Sequence, residues 1–396
     1  RGYSLLSYVI LEMDDIEVVA VCDKYEDRQK RAAESIEKSR GNTPICTDNY
    51  KEVIALNEVD AIIITASWAD HIHIAIESMK AGKYTTIEVG GAYSIEECWS
   101  LVRAYEETKV PCMMLENCCY GRTELMVLNM VRQGLFGEVV HCEGGYHHDL
   151  RKEIAFGKEN RHYRLVNYLN RNCENYPTHE LGPIAKILDI NRGNRMLSLT
   201  STASKSAGLH QYIIDQKGSD YELASIHFEQ GDAVTTVIKC AKGQTITLSL
   251  GTTLPRAYSR GFTIHGTKAM YMEDNNSLFI DGKHNDFENE WKQQWNNAEQ
   301  YYEKYDHPLW KDYSKDIKEG HGGIDWLVFR AFFESVKNGA QTPIDVYDTV
   351  SWMCITALSE QSISLGSMPV AIPDFTNGKW INREKTAEGK YRLDRI

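Results

Sequence analysis

The 396-residue sequence lacks several features by which whole classes of protein are recognised. No apolar run approaches the roughly 20 residues that a membrane-spanning helix needs, and the first residues do not show the charged and then apolar order of a signal peptide. Basic residues are in deficit, with 44 against 56 acidic residues and a formal charge of −12. Because phosphate neutralisation requires clustered lysine and arginine, we expect no nucleic-acid partner and no membrane partner, but a small neutral ligand.

The ten cysteines lack the pattern of a zinc site and of a disulfide framework. No Cys-x-x-Cys pair occurs, which removes the commonest zinc signature. Several cysteines lie in or beside apolar runs, namely Cys22, Cys46, Cys112 and Cys142. Buried free thiols are therefore expected, as in a protein that folds in a reducing compartment. The sequence is compatible with a cytoplasmic location and with a periplasmic one reached by export after folding, for which the signal would precede residue 1.

Short apolar runs alternate with longer charged stretches in the first third of the sequence. Strands are predicted over 17–22, 60–65, 84–89 and 111–116, and helices over 27–39, 71–81 and 95–108. This alternation is typical of a parallel sheet with right-handed crossovers. Asp23 ends the first strand, where an acidic residue can accept hydrogen bonds from both ribose hydroxyls of NAD. A chain of this length fits two domains, of which the first is predicted to be Rossmann-type.

The opening strand and glycine-rich turn of such a domain are absent from the sequence. The apolar residues after Arg1 and Gly2 have the spacing of the inward face of the helix that normally follows that turn; they are Leu5, Leu6, Val9 and Ile10. We therefore expect the sequence to start just inside the phosphate-binding loop, with the helix amino terminus facing the pyrophosphate. The alternative is a genuine start without a dinucleotide site.

Two short motifs carry groups that could act on a ligand. Tyr176-Pro177-Thr178-His179 precedes a predicted helix over 181–188 and places a phenol and an imidazole within one turn. Its plain alternative is a helix cap and a packing residue. Tyr146-His147-His148-Asp149 invites a metal site, but strand alternation sends Tyr146 and His148 one way and His147 and Asp149 the other. No metal is therefore predicted, and His148 either faces the substrate or is structural.

Several segments in the same order resemble one known family. Three of them are similar to the superfamily of glucose-fructose oxidoreductase, inositol dehydrogenase and rhizopine catabolism proteins (Gfo/Idh/MocA): Ala66 to His71, Ile87 to Gly90 and Glu116 to Arg122. Four others resemble glycosyl hydrolase family 109, the NAD-dependent α-N-acetylgalactosaminidases: Gly145 to Arg151, the Tyr-Pro-Thr-His motif, Asn191-Arg192-Gly193 and Pro255 to Arg260. The resemblance runs through nearly the whole chain.

The resemblance implies an α/β architecture in two domains. Residues 1–122 would form a Rossmann-type, parallel-sheet NAD-binding domain without its first strand. Residues 123–396 would form an α+β domain for substrate binding and oligomerisation, with a large, mostly antiparallel open sheet and assembly into a homodimer or higher homo-oligomer. The local sequence agrees with this, because turn residues separate strands predicted over 139–147, 196–204, 223–229, 233–240, 244–251 and 261–266.

The resemblance also implies the residues of the site. The family's NAD contacts fall on Arg1, Asp23, Trp68, Ala69, Asp70, His71, Glu88, Val89, Asn117 and Tyr176. Its sugar contacts fall on Tyr146, Arg164, Tyr176, Pro177, Thr178, His179 and Tyr258. The NAD set lies in loops at the carboxyl ends of parallel strands, where a doubly wound sheet binds its ligands.

The family's reaction is a redox cycle without net oxidation. NAD takes hydride from C3 of the sugar, a base removes the acidified C2 proton, the C1 aglycone leaves, water adds, and the hydride returns. His179, Tyr176 and Tyr258 are the candidate catalytic groups, because an imidazole exchanges protons near neutral pH and phenols donate to developing charge. Arg164 supplies a permanent positive charge for sugar oxygens.

Two departures keep other functions in view. Glu88-Val89-Gly90 stands where the superfamily has Glu-Lys-Pro, whose lysine assists dehydrogenation, so an NAD-dependent sugar or cyclitol dehydrogenase is the second choice. Glu180 stands where the family usually has a glycine and could alter the pocket beside His179. A catalytically silent NAD- or sugar-binding protein is therefore the third candidate function. A glycosidase with paired carboxylates would have Asp149 and Glu180 available.

Overall fold

The computed structural model describes residues 1–284, 291–385 and 389–394. Parallel strands form the amino-terminal part: β1 (Ala20–Cys22), β2 (Ile45–Thr47), β3 (Ala61–Ile64), β4 (Tyr84–Ile87) and β5 (Cys112–Met114). β1 pairs with β2, and β4 lies between β3 and β5. Helices precede, connect and follow these strands: α1 (Gly2–Tyr8), α2 (Glu26–Arg40), α3 (Tyr50–Ala55), α4 (Trp68–Lys80), α5 (Ile95–Thr108) and α6 (Arg122–Arg132).

The predicted alternation of strands and helices is confirmed. α5 has the predicted bounds, since Ser94 and Glu97 form a reciprocal capping box at its start. The strands are shorter than predicted because their terminal residues do not pair. β2 and α3 were not predicted, and they are the short elements that periodicity detects least well, with three and six residues.

The second part is built on an 8-stranded sheet. Its strands are β6 (Val139–His147), β7 (Met196–Ala203), β8 (Ala233–Cys240), β9 (Thr245–Gly251), β10 (Thr263–Gly266), β11 (Ala269–Met272), β12 (Ser277–Ile280) and β13 (Val370–Ala371). They pair in the order β12-β11-β10-β6-β9-β8-β7-β13, and only the β6–β9 pairing is parallel. The predicted large, mostly antiparallel open sheet is confirmed.

One predicted strand, over 223–229, is wrong. These residues form turns and irregular backbone. Leu223, Ala224 and Phe228 are buried while Ile226 is 43% exposed, so burial does not follow the period of two that a strand requires. The apolar residues are those of a packed loop.

Helices cover one side of the large sheet and connect it to the first part. They are α7 (Arg151–Ala155), α8 (Arg164–Asn170), α9 (Thr178–Ile187), α10 (Gly208–Lys217), α11 (Tyr302–Tyr305), α12 (Pro308–Tyr313), α13 (Ile324–Asn338) and α14 (Val346–Ser364). In the described part of the chain, none of the helices combines the length and the apolar character that crossing a bilayer requires.

Helix α9 positions the candidate site, and two glycines let it approach its neighbours. A Cβ on Gly144 of β6 would lie 2.5 Å from the Cβ of Glu180, and a Cβ on Gly182 would lie 2.9 Å from the Cγ of Glu116. α9 begins at Thr178, three residues earlier than predicted, so the Tyr-Pro-Thr-His motif runs into its first turn. His179 and Gly182 therefore share the helix face that meets the end of β5.

Candidate active site

Tyr176 lies at the centre of an aromatic cluster. Its ring centroid is 4.4 Å from that of Tyr146, 4.8 Å from that of His179 and 5.7 Å from that of Trp68. Only 7% of Tyr176 is exposed. Burial raises the pKa of its phenol well above the usual value, while the nearby Arg164 lowers it in part. Tyr176 is therefore a neutral hydrogen-bond donor at physiological pH.

Arg164 places a positive charge against this cluster. Its guanidinium carbon lies 5.0 Å from the ring centres of both Trp68 and Tyr176, where the faces of aromatic rings attract a cation. Its Nε lies 2.8 Å from a carboxylate oxygen of Glu153. Nη1 is buried and makes no hydrogen bond within the described ranges, so it retains donor capacity for a ligand oxygen.

His179 forms a buried dyad with Glu116. Its Nδ1 lies 2.8 Å from Oε1 of Glu116, whose side chain has no exposed surface. The same carboxylate accepts a hydrogen bond from the backbone N–H of Cys118. Burial raises the pKa of Glu116, but the attraction and hydrogen bond of His179 outweigh it, and the net pKa falls below the usual value. Glu116 is thus an ionised carboxylate, aimed at the imidazole.

The segment 146–149 follows strand alternation, as predicted. The hydroxyl of Tyr146 lies 2.8 Å from Nδ1 of His148, and both face the aromatic cluster. His147 points to the other side, where Nε2 lies 2.6 Å from the hydroxyl of Ser249. Asp149 forms an ion pair with Arg151. Burial lowers the pKa of His148, with a further contribution from the positive charge of Arg164, so that its imidazole is neutral at pH 7.

Tyr258 lies at the solvent-exposed edge of the aromatic cluster. Its ring lies 5.1 Å from His148 and 6.3 Å from Tyr146, and 53% of the residue is exposed. Ser259 pairs with His147 through reciprocal backbone hydrogen bonds of 3.0 Å. This bridge fixes Tyr258 beside the end of β6. The predicted sugar set of Tyr146, Arg164, Tyr176 to His179 and Tyr258 therefore lies together.

Glu180 lies away from the aromatic rings. It is fully buried, packs against Gly144 and lies 3.2 Å from Nε of Arg260. The same guanidinium contacts Glu124 at 2.6 Å and Glu273 at 3.4 Å. Burial raises the pKa of Glu180 well above its usual value, and burial also raises the pKa of Glu124. We call Glu124, Glu180, Glu273 and Arg260 the acidic cluster.

Apart from Arg1 and Tyr176, the predicted NAD residues follow the carboxyl ends of β1, β3, β4 and β5. Asp23 accepts a hydrogen bond from the N–H of Tyr25, and its nearest cation is Arg28 at 4.0 Å. Trp68 donates its Nε1–H to the carbonyl of Val89 at 3.0 Å. This contact joins the loops after β3 and β4. Glu88 is buried and pairs with Arg1 at 3.1 Å.

Three neighbouring positions of the predicted NAD set differ in their environment. Ala69 is exposed, and Asp70 accepts a hydrogen bond from the hydroxyl of Ser67 at the start of α4. His71 is turned into the domain, with Nε2 3.1 Å from the carbonyl of Ala66. Burial lowers the pKa of His71 to about 4, so its imidazole is neutral. Their cofactor contacts stay predictions.

Sequence reasoning missed two buried acids of this site. One is Glu116, whose only signal is its position at a strand end, like that of Glu88. The other is Asp325 of α13, which accepts hydrogen bonds from Asn117 at 2.7 Å, from Arg1 at 2.7 Å, and contacts His321 at 2.7 Å. Asp325 is more than 200 positions from Asn117 along the chain, and no local pattern indicates such a contact.

The donor set at this edge fits a dinucleotide. Asp23 is partly exposed and holds an acceptor oxygen with no closely bound cation, which suits ribose hydroxyls and repels a 2′-phosphate. The amide of Asn117 and the carboxylate of Glu88 supply polar groups at the ends of β5 and β4. Tyr176 contacts Trp68 of this set and Tyr146 of the sugar set. The two predicted sets therefore meet at one side chain.

Three potential ligand atoms, from Glu116, Cys118 and His179, come within 4.8 Å of one another. Burial raises the pKa of the Cys118 thiol well above its usual value, and the Glu116–His179 hydrogen bond already occupies one oxygen and one nitrogen. Metal binding at these atoms would require the Cys118 thiolate and would break the hydrogen bond between Glu116 and Nδ1 of His179. We therefore do not assign a metal to these residues, and its absence stays a prediction.

Comparisons with known proteins cover nearly the whole chain. A family model described as "Glycosyl hydrolase 109, C-terminal domain" matches residues 120–382, and one described as "Oxidoreductase family, NAD-binding Rossmann fold" matches residues 2–116. An α-N-acetylgalactosaminidase of Tannerella forsythia is 39% identical over 95% of this chain and 84% of its own length. One of Shewanella oneidensis is 38% identical over 96% and 84%.

The fold also occurs among solved structures. The structure of a levoglucosan dehydrogenase in complex with NADH and levoglucosan has a TM-score of 0.67 at 15% identity, covering 94% of this chain and 95% of that chain. At this identity the likeness concerns the fold alone. A Rossmann-type NAD-binding domain followed by a large, mostly antiparallel sheet is thus the architecture of both proteins.

Proposed function

The chain belongs to glycosyl hydrolase family 109 and is a glycosidase, and from that premise we propose that it releases terminal α-N-acetylgalactosamine by an NAD-dependent cycle through a 3-keto sugar. The observation that carries the proposal is the position of Tyr176. Its ring contacts Trp68, from the predicted NAD set, and both Tyr146 and His179, from the predicted sugar set. A sugar seated there would lie between the cofactor edge and the proton-exchanging groups.

Bound NAD would supply a hydride acceptor, and then a hydride donor, for C3 of the sugar. We assign its binding to Arg1, Asp23, Trp68, Glu88, Val89 and Asn117. Asp23 would hold the ribose hydroxyls. The Trp68–Val89 hydrogen bond would keep two of the cofactor loops in register.

The chain's own residues bind and orient the sugar and move its protons. Tyr176, neutral and buried, donates to the C3 oxygen as charge develops there. Arg164 offers Nη1 to a sugar or acetamido oxygen. His179 accepts and returns the proton that the cycle exchanges, and Tyr258 closes the open side. Tyr146 and the neutral His148 form a hydrogen-bonded pair beside them.

Aglycone release tests the activity. A chromogenic α-N-acetylgalactosaminide should be cleaved with no net change in NADH absorbance. In D₂O the released sugar should carry deuterium at C2, because the cycle exchanges that proton with solvent. Cleavage without deuterium at C2 would favour paired carboxylates instead. The structure gives these little support, because Asp149 is paired with Arg151 and Glu180 is buried beside Arg260. No cleavage of any glycoside in a panel would refute the proposal.

A sugar or cyclitol dehydrogenase remains the second candidate, since the fold is shared with NADH-binding dehydrogenases. The residue at the expected lysine position is Val89, which is buried and binds Trp68 through its carbonyl. A valine side chain cannot exchange a proton with a sugar hydroxyl. Net NADH production from a free sugar would support this candidate.

We further propose that the chain forms a homodimer or higher homo-oligomer through the open face of its large sheet. Alternate residues of β8 are exposed on that face, including Thr235, Val237 and Lys239. Val237 is 45% exposed although it is apolar. Sedimentation velocity should give a mass of two or more chains for the protein, and a lower mass for V237E. A monomer at all concentrations would contradict the proposal.

A further inference from the structure

We propose that Glu116 is a positioning residue that fixes the tautomer of His179, so that Nδ1 carries the proton and Nε2 exchanges protons with the sugar. The inference rests on the proposed function, because it assigns the atom of His179 that performs the proton exchange. It begins from the contact between Nδ1 and Oε1 of Glu116, at 2.8 Å.

The chemistry of the pair selects one tautomer. An ionised carboxylate only accepts hydrogen bonds, so the neutral imidazole must donate Nδ1–H to Glu116. Nε2 then carries the lone pair. Within the described ranges Nε2 has no hydrogen-bond partner, and the ring centroid of His179 lies 5.4 and 4.8 Å from those of Tyr146 and Tyr176. Because Nδ1 is turned to Glu116, Nε2 lies on the part of the ring directed away from that carboxylate.

Glu116 is held more firmly than a surface ion-pair partner. Its side chain is fully buried, and the backbone N–H of Cys118 donates to the same oxygen that contacts His179. The Cγ of Glu116 would lie 2.9 Å from a Cβ on Gly182, so α9 packs directly on the carboxylate stem. A rotation of Glu116 would therefore have to displace α9. Such a support keeps the imidazole in one orientation.

The helix supplies the reason that His179 needs a carboxylate. His179 is the second residue of the 10-residue helix α9, and the amino end of a helix disfavours positive charge. Proton uptake by Nε2 produces an imidazolium at that unfavourable place. Tyr146, Tyr176 and His148 around the ring are neutral, Glu88 is a more distant acid, and Arg164 adds a positive charge. Glu116 is the carboxylate in direct contact that offsets the helix end and Arg164.

The test compares Glu116→Gln, Glu116→Asp and a matched control, Glu174→Gln. Glu174 is equally buried and contacts the backbone of Tyr176 rather than an imidazole, and burial raises its pKa to about 8, so an amide resembles its neutral form and can accept the same hydrogen bond. We expect E116Q to lose about 10²-fold in kcat with KM changed less, because an amide can donate to Nδ1 and so select the other tautomer. E116D should recover part of kcat, and E174Q should match the wild type.

Retained NAD and unchanged circular dichroism would show that E116Q is folded. If E116Q keeps the wild-type kcat while the wild-type protein cleaves the glycoside, the inference is overturned but the proposed function survives. If the wild type cleaves nothing, the proposed function fails and the tautomer is tested separately. In that case, ¹⁵N NMR of histidine-labelled protein, with His179→Gln for assignment, should show a protonated Nδ1 and an unprotonated Nε2. The reverse pattern, or stoichiometric metal in the purified protein, would overturn the inference.

Discussion

His179 and Glu180 are neighbours in α9, yet they belong to two buried charge clusters of opposite character. His179 meets one carboxylate, Glu116, in a pair of one acid and one imidazole. Glu180 is one of three carboxylates that surround a single guanidinium, that of Arg260. Glu116 and Glu180 are equally buried. Their pKa values nevertheless move in opposite directions, below the usual value for Glu116 and well above it for Glu180.

Burial alone therefore does not decide the charge of these acids. Desolvation raises the pKa of both, and the hydrogen bonds and charges of the partners around each carboxylate determine whether the net pKa falls or stays high. Glu116 has His179 and the backbone N–H of Cys118 as partners of its own, whereas Glu180 shares Arg260 with Glu124 and Glu273. The contrast separates a dyad suited to chemistry from a cluster that joins α9, α6 and the segment bearing Tyr258.

The largest effect is expected when the acidic cluster loses its guanidinium. Arg260→Met leaves buried carboxylates without a counter-charge, and we expect the free energy of unfolding at pH 7 to fall by about 3–5 kcal/mol. Urea denaturation measures this change. Arg103→Met, which breaks an exposed pair with Glu96, should cost at most about 1 kcal/mol. An R260M variant as stable as R103M would show that the cluster is already neutral without Arg260.

The dyad should affect catalysis more than stability. His179→Ala removes the proton-exchanging group, and we expect aglycone release to fall by about 10² or more while NAD stays bound. Initial rates with a chromogenic substrate and the absorbance of retained cofactor check the two halves of this statement. His147→Gln is the control, since His147 faces Ser249 on the other side of β6. Equal losses in the two variants would contradict the separation of the two faces.

The close approach of the α9 backbone to Glu116, at Gly182, should affect both stability and the Glu116–His179 dyad. In Gly182→Ala the added methyl group would lie 2.9 Å from Glu116 and Cys119. We expect a loss of about 1–3 kcal/mol in the free energy of unfolding, because neither neighbour can yield without moving the dyad or the 3-10 helix after β5. Activity should fall with it. A G182A variant with wild-type activity would mean that the Glu116–His179 distance is not critical.

The smallest effect is a pH dependence with opposite sign in the two clusters. The raised pKa of Glu180 means that its contribution to stability is complete below its unfolded pKa of about 4.3 and is lost as pH rises through the folded value. Between about pH 5 and 8, Glu180→Gln should therefore become more stable relative to the wild type. The expected change in the free energy of unfolding is about 1 kcal/mol or less.

Glu116 should show the reverse trend. Its lowered pKa gives stability above the unfolded pKa that is lost as pH falls through the folded value. Glu116→Gln should thus be less stable than the wild type at pH 7, and the difference should shrink toward about pH 4. Chemical denaturation at several pH values measures both variants. Parallel trends in the two would mean that burial, rather than the partner, decides the charge of these acids.

Much of the fold was predictable from local patterns, and the exceptions have physical causes. The bounds of α5 follow from its capping residues, and the opposite directions of His147 and His148 follow from strand alternation. β2 was too short to show a period. The strand expected over 223–229 failed because alternating apolar residues also occur in packed loops.

The site was predictable where a motif carried it, and less so where it depends on distant contacts. Tyr146, Arg164, Tyr176, His179 and Tyr258 were predicted and lie together. Glu116 and Asp325 were missed because each acquires its partner through tertiary packing. Glu180 was expected to influence the pocket beside His179, but successive residues of a helix point about 100° apart, and Glu180 faces Arg260 instead.

The two glycines that seat α9 have a mechanical consequence. Glu116 comes from the part of the chain that carries the Rossmann strands, and His179 comes from the part that carries the large sheet. α9 is held between them, against β6 through Gly144 and against Glu116 through Gly182. A hinge motion between the two parts would pull the imidazole from its carboxylate. The Glu116–His179 distance therefore depends on how α9 is packed between the two parts of the chain.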